Sequence, residues 1–586
     1  MAKRGGAVHV TTHCRHYEGK DGVRRDYETH LLRRSWREDG KVRNETVANL
    51  SHLPSDLIEV IRASLAGESF VPAATAATVT RSVPHGHVAA VWAMAKTLGM
   101  PALLGPAGRH RDLALALIIA RVLHPGSKLA TMSWWADTTL GADLDVNDAT
   151  SDEAYAAMDW LTGRQERIEA KLAARHLGHE QSNPHKIAMF DLSSWMEGTH
   201  CQLAKRGYSR DGKKNRPQIE YGLLTDPAGR PVAIKVFAGN IADPTAFKSA
   251  VDIVKDKFGL TSMVMVGDRG MITSARITAL RQDTDLGWLT ALRAPAIQKL
   301  AADSGPLQMT LFDEQDLAEI SHPDYAGERL IACRNPALAK SRAHKRQELL
   351  RATETLLAPV VEAVTAGRLA GADKIGLRVG KLINRYKMAK HFTLTLDDTH
   401  LAMMRDTAKI DAEAALDGIY VIRTSVPTDQ LDAAGVVEAY KNLSRVERDF
   451  RSIKVDDLDL RPVFHRLDDR VRGHVFICML AAYLTWHLRK AWAPLTFTDE
   501  HRPDRTNPVA PAVRSTAANQ KASRRENPAG QPVRSFRALL NHLATLTRND
   551  LQYGDQGPVV ATLAEPTADQ RRAFELLDAT VPLTLK

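Results

Sequence analysis

Three acidic residues in this sequence lie where an unpaired charge would be costly. Asp191 is embedded in the apolar run Ile187–Leu192, Asp268 follows the apolar run Met263–Val266, and Glu447 lies in a stretch with helical spacing. A buried carboxylate needs a partner. Three converging carboxylates could hold a pair of divalent cations, which prefer oxygen ligands. Two metals about 3.5–4 Å apart assist phosphoryl transfer by activating the attacking oxygen and stabilising the leaving oxygen.

Each acid also has a structural explanation. Asp191 could accept hydrogen bonds from a neighbouring turn, and Asp268 could cap the helix that follows it. Glu447 could pair with an arginine on its own helix. Taken singly, these structural roles are the commoner outcome. The three acids together favour a metal site.

The helix that carries Glu447 is predicted by its apolar residues, which recur every three or four positions: Val436, Val437, Tyr440, Leu443, Val446, Phe450 and Ile453. Tyr440 and Lys454 each lie seven residues from Glu447. Two helical turns take about 7.2 residues, so these three side chains project in nearly the same direction. The pattern therefore predicts a helix that presents an acid, Glu447, to the body of the protein.

Two groups of basic residues could contact a polyanion. One forms a separate stripe on the Glu447 helix, at Lys441, Arg445 and Arg448. The other lies in a glycine-containing loop after the first acidic strand and includes Arg210, Lys213 and Lys214. Beside a phosphoryl-transfer site, such side chains could hold the phosphate backbone of a nucleic acid. A solvated extension of a hairpin explains the loop equally well.

Strands and helices alternate after residue 186, which predicts an α/β fold. The continuous apolar run Ile187–Leu192 is typical of a central strand covered on both faces. Gln218–Thr225 and Val232–Phe237 predict an antiparallel hairpin. Later strands are expected at Met263–Val266, Gly287–Leu292 and Gly418–Thr424. We therefore expect a mixed sheet flanked by helices.

Around this core, composition and periodicity divide the 586 residues into seven segments. We expect a basic strand and helix region at 1–80, a helical domain at 81–182, the first part of the α/β core at 183–293, a large α+β insertion at 294–416, the second part of the core with the Glu447 helix at 417–495, a flexible linker at 496–535 and a C-terminal unit at 536–586. The helical domain could recognise DNA ends or serve only for packing.

Charge and composition indicate the class of partner. Lysine and arginine number 79 against 69 acidic residues, for a net charge of +10. This surplus favours nucleic acid first and an anionic membrane surface second. Four scattered cysteines, no signal-peptide pattern and no apolar run of about 20 residues predict a cytoplasmic protein without a membrane span.

At the three acids the sequence resembles a known family, the DDE transposases of bacterial insertion sequences. The resemblance covers roughly 187–490 and rests on IAMFDLSSWMEG around Asp191, VMVGDRG around Asp268, and the signature helix Tyr-x2-Arg-x3-Glu-x6-Lys, matched by Tyr440, Glu447 and Lys454. Leu443 stands where the signature has arginine, which leaves that residue's role unassigned. The other two signature residues, Tyr440 and Lys454, are expected to contact DNA together with the basic residues above. The basic N-terminal region also looks like this branch of the family.

The resemblance implies a ribonuclease-H-like catalytic fold in which Asp191, Asp268 and Glu447 form a metal-binding catalytic triad. It implies Mg²⁺, with Mn²⁺ able to substitute, and double-stranded DNA as substrate, both the terminal inverted repeats and the target. A homodimer would hold two ends. Such an enzyme cleaves at the element's ends and transfers the freed 3′-hydroxyl into target DNA. Two alternatives remain: a nuclease of the same fold without strand transfer, and a DNA-binding descendant that has lost catalysis.

Overall fold

The structure of the protein is a computed structural model. It describes the chain apart from residues 1–5, 19, 21–23, 69, 71–76, 178–184, 196–200, 208–214, 227, 241–262, 268, 270–271, 273–276, 279, 282–285, 303–304, 314, 452–456, 504–506 and 555–556. At 185–195, 263 and 444–451 it describes the backbone alone. The described chain forms two compact units, one of residues 1–82 and 549–562 and the other of 83–548 and 563–586.

The first unit contains one three-stranded sheet and most of a second. One is antiparallel, in the order β1 (Ala7–Glu18), β2 (Arg24–Glu38), β3 (Lys41–Asn49). Asp39 and Gly40, at φ 48° and 72°, make the two-residue turn between β2 and β3, as expected for an Asp-Gly hairpin. Helix α1 (Ser55–Leu65) packs on β1. The second sheet has the order β16 (Val559–Leu563), β15 (Thr547–Tyr553), β4 (Ala77–Pro84).

Helices precede the large sheet in the second unit. They are α2 (Gly86–Thr97), α3 (Met100–Leu104), α4 (Arg109–Leu123), α5 (Lys128–Ala136), α6 (Thr139–Asp143), α7 (Ser151–Thr162) and α8 (Gln165–His176). Every residue of α4 from position 113 to 123 is buried, so this helix runs through the core instead of along its surface. Thr150 begins α7 with a capping box: its hydroxyl accepts from the Glu153 amide, and the Glu153 carboxylate accepts from the Thr150 amide.

An eight-stranded sheet forms the centre of the second unit, in the order β10 (Leu317–Ile320), β11 (Arg329–Arg334), β14 (Ile419–Thr424), β9 (Leu286–Ala291), β8 (Met263–Val266), β5 (His185–Trp195), β6 (Gln218–Thr225), β7 (Pro231–Ala238). The pairs β5–β8 and β8–β9 are parallel, and the other pairs are antiparallel. The mixed α/β architecture and the β6–β7 hairpin are therefore confirmed.

The interval between β9 and β14 was expected to be one insertion. Instead, β10 and β11 extend the large sheet beyond β14, and the residues between β11 and β14 form a subdomain around their own apolar cluster. This subdomain contains α10 (Pro336–Thr365), α11 (Ala372–Ile383), β12 (Phe392–Leu396), β13 (Leu401–Arg405) and α12 (Thr407–Ala414); α9 (Ala294–Leu300) comes earlier, before β10. Strands β10 and β11 thus belong to the large sheet, although local periodicity alone could not assign them to it.

Five further α-helices of the described chain follow the last strand of the large sheet, and the first two of them contact its strands. They are α13 (Ala433–Arg451), α14 (Asp468–Ala491), α15 (Thr516–Arg524), α16 (Phe536–Ala544) and α17 (Ala568–Glu575). As its apolar sequence predicts, α14 is buried along most of its length, where it contacts α4, α7 and β7. Among the described helices, none alone has the length and apolar composition to cross a membrane; α4 and α5 meet that test only as a pair, bent by 91°.

Residues 496–535 differ from the flexible linker that their composition suggests. They contain α15, which Ser515 caps by accepting from the Ala518 amide. Lys521 is buried and donates to the carbonyl oxygens of Ala493 at 2.8 Å and Thr498 at 3.1 Å. Such a lysine fixes the segment through its polar contacts, which a count of apolar residues does not detect.

Candidate active site

The strand that carries Asp191 is central in the sheet. Strand β5 pairs antiparallel with β6, where Asp191 lies opposite Gly222, and parallel with β8, where Ala188 lies opposite Val266. The chains of β5 and β8 therefore leave the sheet at the same edge. Because ligands bind at the carboxyl ends of parallel strands in α/β sheets, a functional site is expected at this edge. The side chain of Asp191 lies outside the described part of the chain.

Asp268 itself also lies outside the described residues, but its neighbours show where the chain passes. Val266 is the last residue of β8, two positions before it. The Gly267 amide donates to the Leu289 carbonyl oxygen of β9 at 3.1 Å. The guanidinium of Arg293 donates to the Arg269 carbonyl oxygen at 3.4 Å. The residues on both sides of Asp268 are thus tied to β9 and to the segment that follows it.

Helix α13 carries Glu447 and packs on the strands just described. It contacts β5, β8 and β9, and also β10, β11 and β14. The described part of its predicted apolar stripe is confirmed: Val436, Val437 and Leu443 are buried, and Tyr440 is half-buried against the same core. The Asp432 carboxylate accepts from the Gly435 amide at 2.7 Å in the first turn of the helix. The backbone of Glu447 is helical, and its side chain is outside the described atoms.

Lys441, predicted to contact DNA, is held by protein atoms. Its ammonium group donates to the carbonyl oxygens of Pro508 at 2.5 Å, Val509 at 2.6 Å and Ala510 at 3.0 Å. A lysine has three donor hydrogens, so these contacts can use all of them. The structure therefore gives Lys441 a clamping role between α13 and the segment near residue 509, and a DNA contact there stays a prediction.

The other predicted DNA contacts are not tested by the described atoms. Tyr440 is half-buried against the core, and its contact with DNA stays a prediction. Arg445 and Arg448 lie in α13, where only the backbone is described. Lys454 and the loop residues Arg210, Lys213 and Lys214 lie outside the described residues.

A buried polar cluster anchors the chain that follows α13. Lys128 donates to Nδ1 of His474 at 3.3 Å, and Nε2 of His474 donates to the Leu460 carbonyl oxygen at 3.1 Å. The Arg121 guanidinium donates to the Leu458 carbonyl oxygen at 3.4 Å. Burial and the nearby Arg121 lower the pKa of Lys128 to about 7. Burial, followed by the Lys128 and Arg121 charges, lowers the pKa of His465 to about 3, so its imidazole is neutral at physiological pH.

Sequence reasoning did not single out Glu220, an acid on β6 that is only 9% exposed. The strand register places it opposite Ser193, two residues along β5 from Asp191. Diagonal neighbours on one face of an antiparallel pair lie about 7–8 Å apart, within reach of a long side chain. The signal that could have found it is the one that marks Asp191, an acid inside an otherwise buried strand.

The donor chemistry of the three predicted acids fits a hard divalent cation. All their donor atoms are carboxylate oxygens, with no thiolate or imidazole, and such sets suit Mg²⁺ or Mn²⁺. Within the described residues, no group of three or more His, Cys, Asp or Glu could hold a metal ion. The carboxylates of all three acids lie outside the described atoms, so their convergence stays a prediction.

Comparison with known proteins identifies two regions of the chain. Residues 184–484, more than half of the chain, match the family model of the transposase DDE domain. Residues 20–74 match the model of the N-terminal domain of the IS1634 family of transposases. A comparison with curated proteins gives no match. The first region includes all three predicted acids, and the second includes most of the β1–β3 sheet.

Proposed function

Because this chain belongs to the DDE transposases of insertion sequences, we propose that it cleaves DNA at the ends of its own element and joins the freed 3′-hydroxyl to target DNA. In this proposal Asp191, Asp268 and Glu447 are the catalytic carboxylates. DNA is the substrate of the family. The terminal inverted repeats, the target joining and a pair of protein copies holding two ends are our proposals for this member.

One observation carries the assignment of the acids. Strand β5, which contains Asp191, is paired in parallel with β8, which ends two residues before Asp268. Adjacent parallel strands deliver their carboxyl ends to one edge of the sheet, so the two aspartates are expected there together. Helix α13, with Glu447, packs against both strands. This mixed sheet is consistent with a ribonuclease-H-like DDE domain.

The three carboxylates would hold divalent cations, for which we propose Mg²⁺, with Mn²⁺ as a substitute. When bound, two such ions supply Lewis-acid activation of the attacking oxygen and stabilisation of the leaving oxygen. The protein's own contribution is to fix three negatively charged ligands on rigid elements, two at strands and one on a packed helix. Tyr440, half-buried two turns before Glu447, helps to seat that helix on the sheet.

Basic residues near this edge would hold the DNA backbone. We assign this role to Arg445, Arg448 and Lys454 on and after α13, and to the loop with Arg210, Lys213 and Lys214. The net charge of +10 supports a polyanionic substrate. Removing any one of these contacts would lower the salt sensitivity of DNA binding, because binding would then release fewer counterions.

The test is an end-cleavage and strand-transfer assay with the full-length protein, DNA carrying the element's ends, a target plasmid and Mg²⁺. The variants are Asp191→Asn, Asp268→Asn and Glu447→Gln. The matched control is Glu438→Gln, an exposed acid on the same helix as Glu447. Loss of an outer-shell partner of a metal ligand already costs about 10–100-fold. We therefore expect each of the three variants to lose more than about 100-fold of cleavage and the control to keep it.

Normal end cleavage by Asp268→Asn would contradict the assigned mechanism. Cleavage by the wild type without any joined product would identify a nuclease and contradict the strand-transfer step. No cleavage by the wild type on intact ends in Mg²⁺ or Mn²⁺ would indicate a DNA-binding descendant without catalysis.

A further inference from the structure

The β1–β3 sheet of the first unit separates its charges between its two faces. Residues alternate between faces along a strand, and residues opposite each other on paired strands share a face. The register sets Arg15 opposite Tyr27, Tyr17 opposite Arg25, and Arg37 opposite Val42. All of these residues therefore lie on one face.

This face, called the basic face below, carries cations and aromatic rings without acids. Its members include Arg15, Arg25, Arg33, Arg37, Tyr17 and Tyr27. The same alternation places each acidic residue of the three strands on the opposite face: Glu18, Asp26, Glu28, Glu38 and Glu45. A random distribution would place some of these acids on each face. The basic face is instead uniformly positive.

The opposite face is electrostatically balanced and partly covered. Arg24 pairs with Asp26 at 3.8 Å, Arg34 with Glu45 at 3.9 Å, and Arg43 with Glu38 at 3.7 Å. Helix α1 packs on this side, where the Arg62 guanidinium donates to the Thr12 hydroxyl at 3.1 Å. The arginines of the opposite face are thus paired with acids, and helix α1 covers part of strand β1.

Most of the basic face is accessible: Arg15 and Arg37 are exposed, whereas Arg33 is half-buried and its Nε is shielded from solvent. Among the residues that the structure describes, no ion pair involves Arg15, Arg33 or Arg37. Tyr17 and Tyr27 are each 56% exposed. Arg25 and Arg37 are twelve residues apart on β2, which at about 3.3 Å per residue is about 40 Å. One turn of B-DNA is about 34–36 Å. The arginine row therefore spans about one helical turn of a duplex.

We propose that the basic face of β1–β3 binds the phosphate backbone of duplex DNA. This inference rests on the proposed function, because that function supplies the substrate, and it deepens it by assigning a second DNA surface apart from the acids. Guanidinium groups form charge-assisted hydrogen bonds to phosphate, and exposed tyrosines can donate hydrogen bonds to the backbone. Sheets are established readers of DNA grooves in other proteins.

The test measures binding of the full-length protein to a mixed-sequence 30-base-pair duplex by fluorescence anisotropy, in EDTA so that no cleavage occurs, over a series of salt concentrations. The basic-face variant is Arg15→Gln/Arg33→Gln/Arg37→Gln. The matched control removes the same charge from the opposite face, Arg24→Gln/Arg34→Gln/Arg43→Gln. A third protein, Arg15→Lys/Arg33→Lys/Arg37→Lys, keeps the charge. Melting temperatures of all four proteins check that the sheet stays folded.

We expect the basic-face variant to bind more weakly by about 10- to 500-fold at 0.1 M salt and to lose up to about 2.7 from the slope of log K against log salt, since each phosphate contact contributes about 0.9. The lysine variant should keep most of the slope, and the control should bind within about twofold of wild type. Equal effects of the two glutamine variants, or wild-type binding by the basic-face variant, would overturn the inference. If Asp268→Asn abolishes cleavage while the basic-face variant binds normally, this inference fails and the proposed function stands.

Discussion

Replacing Lys441 by methionine should loosen the contact between α13 and the segment at residues 508–510. The Lys441 ammonium donates to three carbonyl oxygens there. One of them, that of Val509, also accepts from the Asn335 side-chain amide at 3.2 Å, so it keeps a partner. The other two each lose a hydrogen bond from a charged donor, worth about 1.5–3 kcal/mol when buried. Because the site is half-exposed and water can replace part of this, we expect a loss of about 2–3 kcal/mol.

Hydrogen–deuterium exchange measures that loss locally. The Val509 amide donates to the Asn507 side chain at 2.9 Å and the Ala510 amide to the Asn507 carbonyl oxygen at 3.2 Å, so both report opening of the segment. A loss of 2–3 kcal/mol should speed their exchange by about 30- to 150-fold, since exchange follows the opening equilibrium. The control is Lys374→Met, an exposed lysine on α11, which should leave this exchange unchanged.

The same variant separates the clamp from a DNA contact. A clamping lysine leaves the salt dependence of DNA binding unchanged, whereas a phosphate contact contributes about 0.9 to its slope. Unchanged exchange at Val509 and Ala510, together with a reduced salt slope, would refute the clamp and restore Lys441 as a DNA contact.

Two further predictions concern stability. Burial depresses the pKa of Lys128 from 10.5 to about 7, so the unfolded state binds more protons between these values, and wild-type stability gains a contribution as pH rises through this window. Lys128→Met should therefore raise the melting temperature relative to wild type most at pH 6–7 and least near pH 10; a constant difference would contradict this. Gly418→Ala should lower the free energy of unfolding, measured in urea, by at least about 2 kcal/mol. Gly418 has φ +78°, and an added Cβ would lie 2.4 Å from the Asn335 carbonyl oxygen. A variant as stable as the wild type would contradict this prediction.

Much of the sheet was predictable because its strands carry their own signals. The continuous apolar run around Asp191 correctly indicated a central strand, and β8 has the bounds that its four apolar residues predict. The β6–β7 hairpin follows from two apolar runs and the turn between them. The buried stripe of α13 follows from helical spacing, as far as its side chains are described.

Features that depend on distant pairing were not predictable from local patterns. Lys441 is bound by residues 67 to 69 positions away, so its outward spacing could not distinguish a clamp from a DNA contact. Strands β10 and β11 join the large sheet only through pairing with β14, far along the chain. The basic face arises from the register of β1, β2 and β3, although the alternation along β2 by itself was visible in the sequence.

The most direct test of the account is a structure of the protein with DNA ends and Mn²⁺, in which anomalous scattering locates the metal. We predict two manganese ions about 3.5–4 Å apart, held by the carboxylates of Asp191, Asp268 and Glu447 beside the scissile phosphate. Manganese bound elsewhere, with these three carboxylates too far apart to share an ion, would contradict the central claim that two strands and one helix assemble the catalytic site.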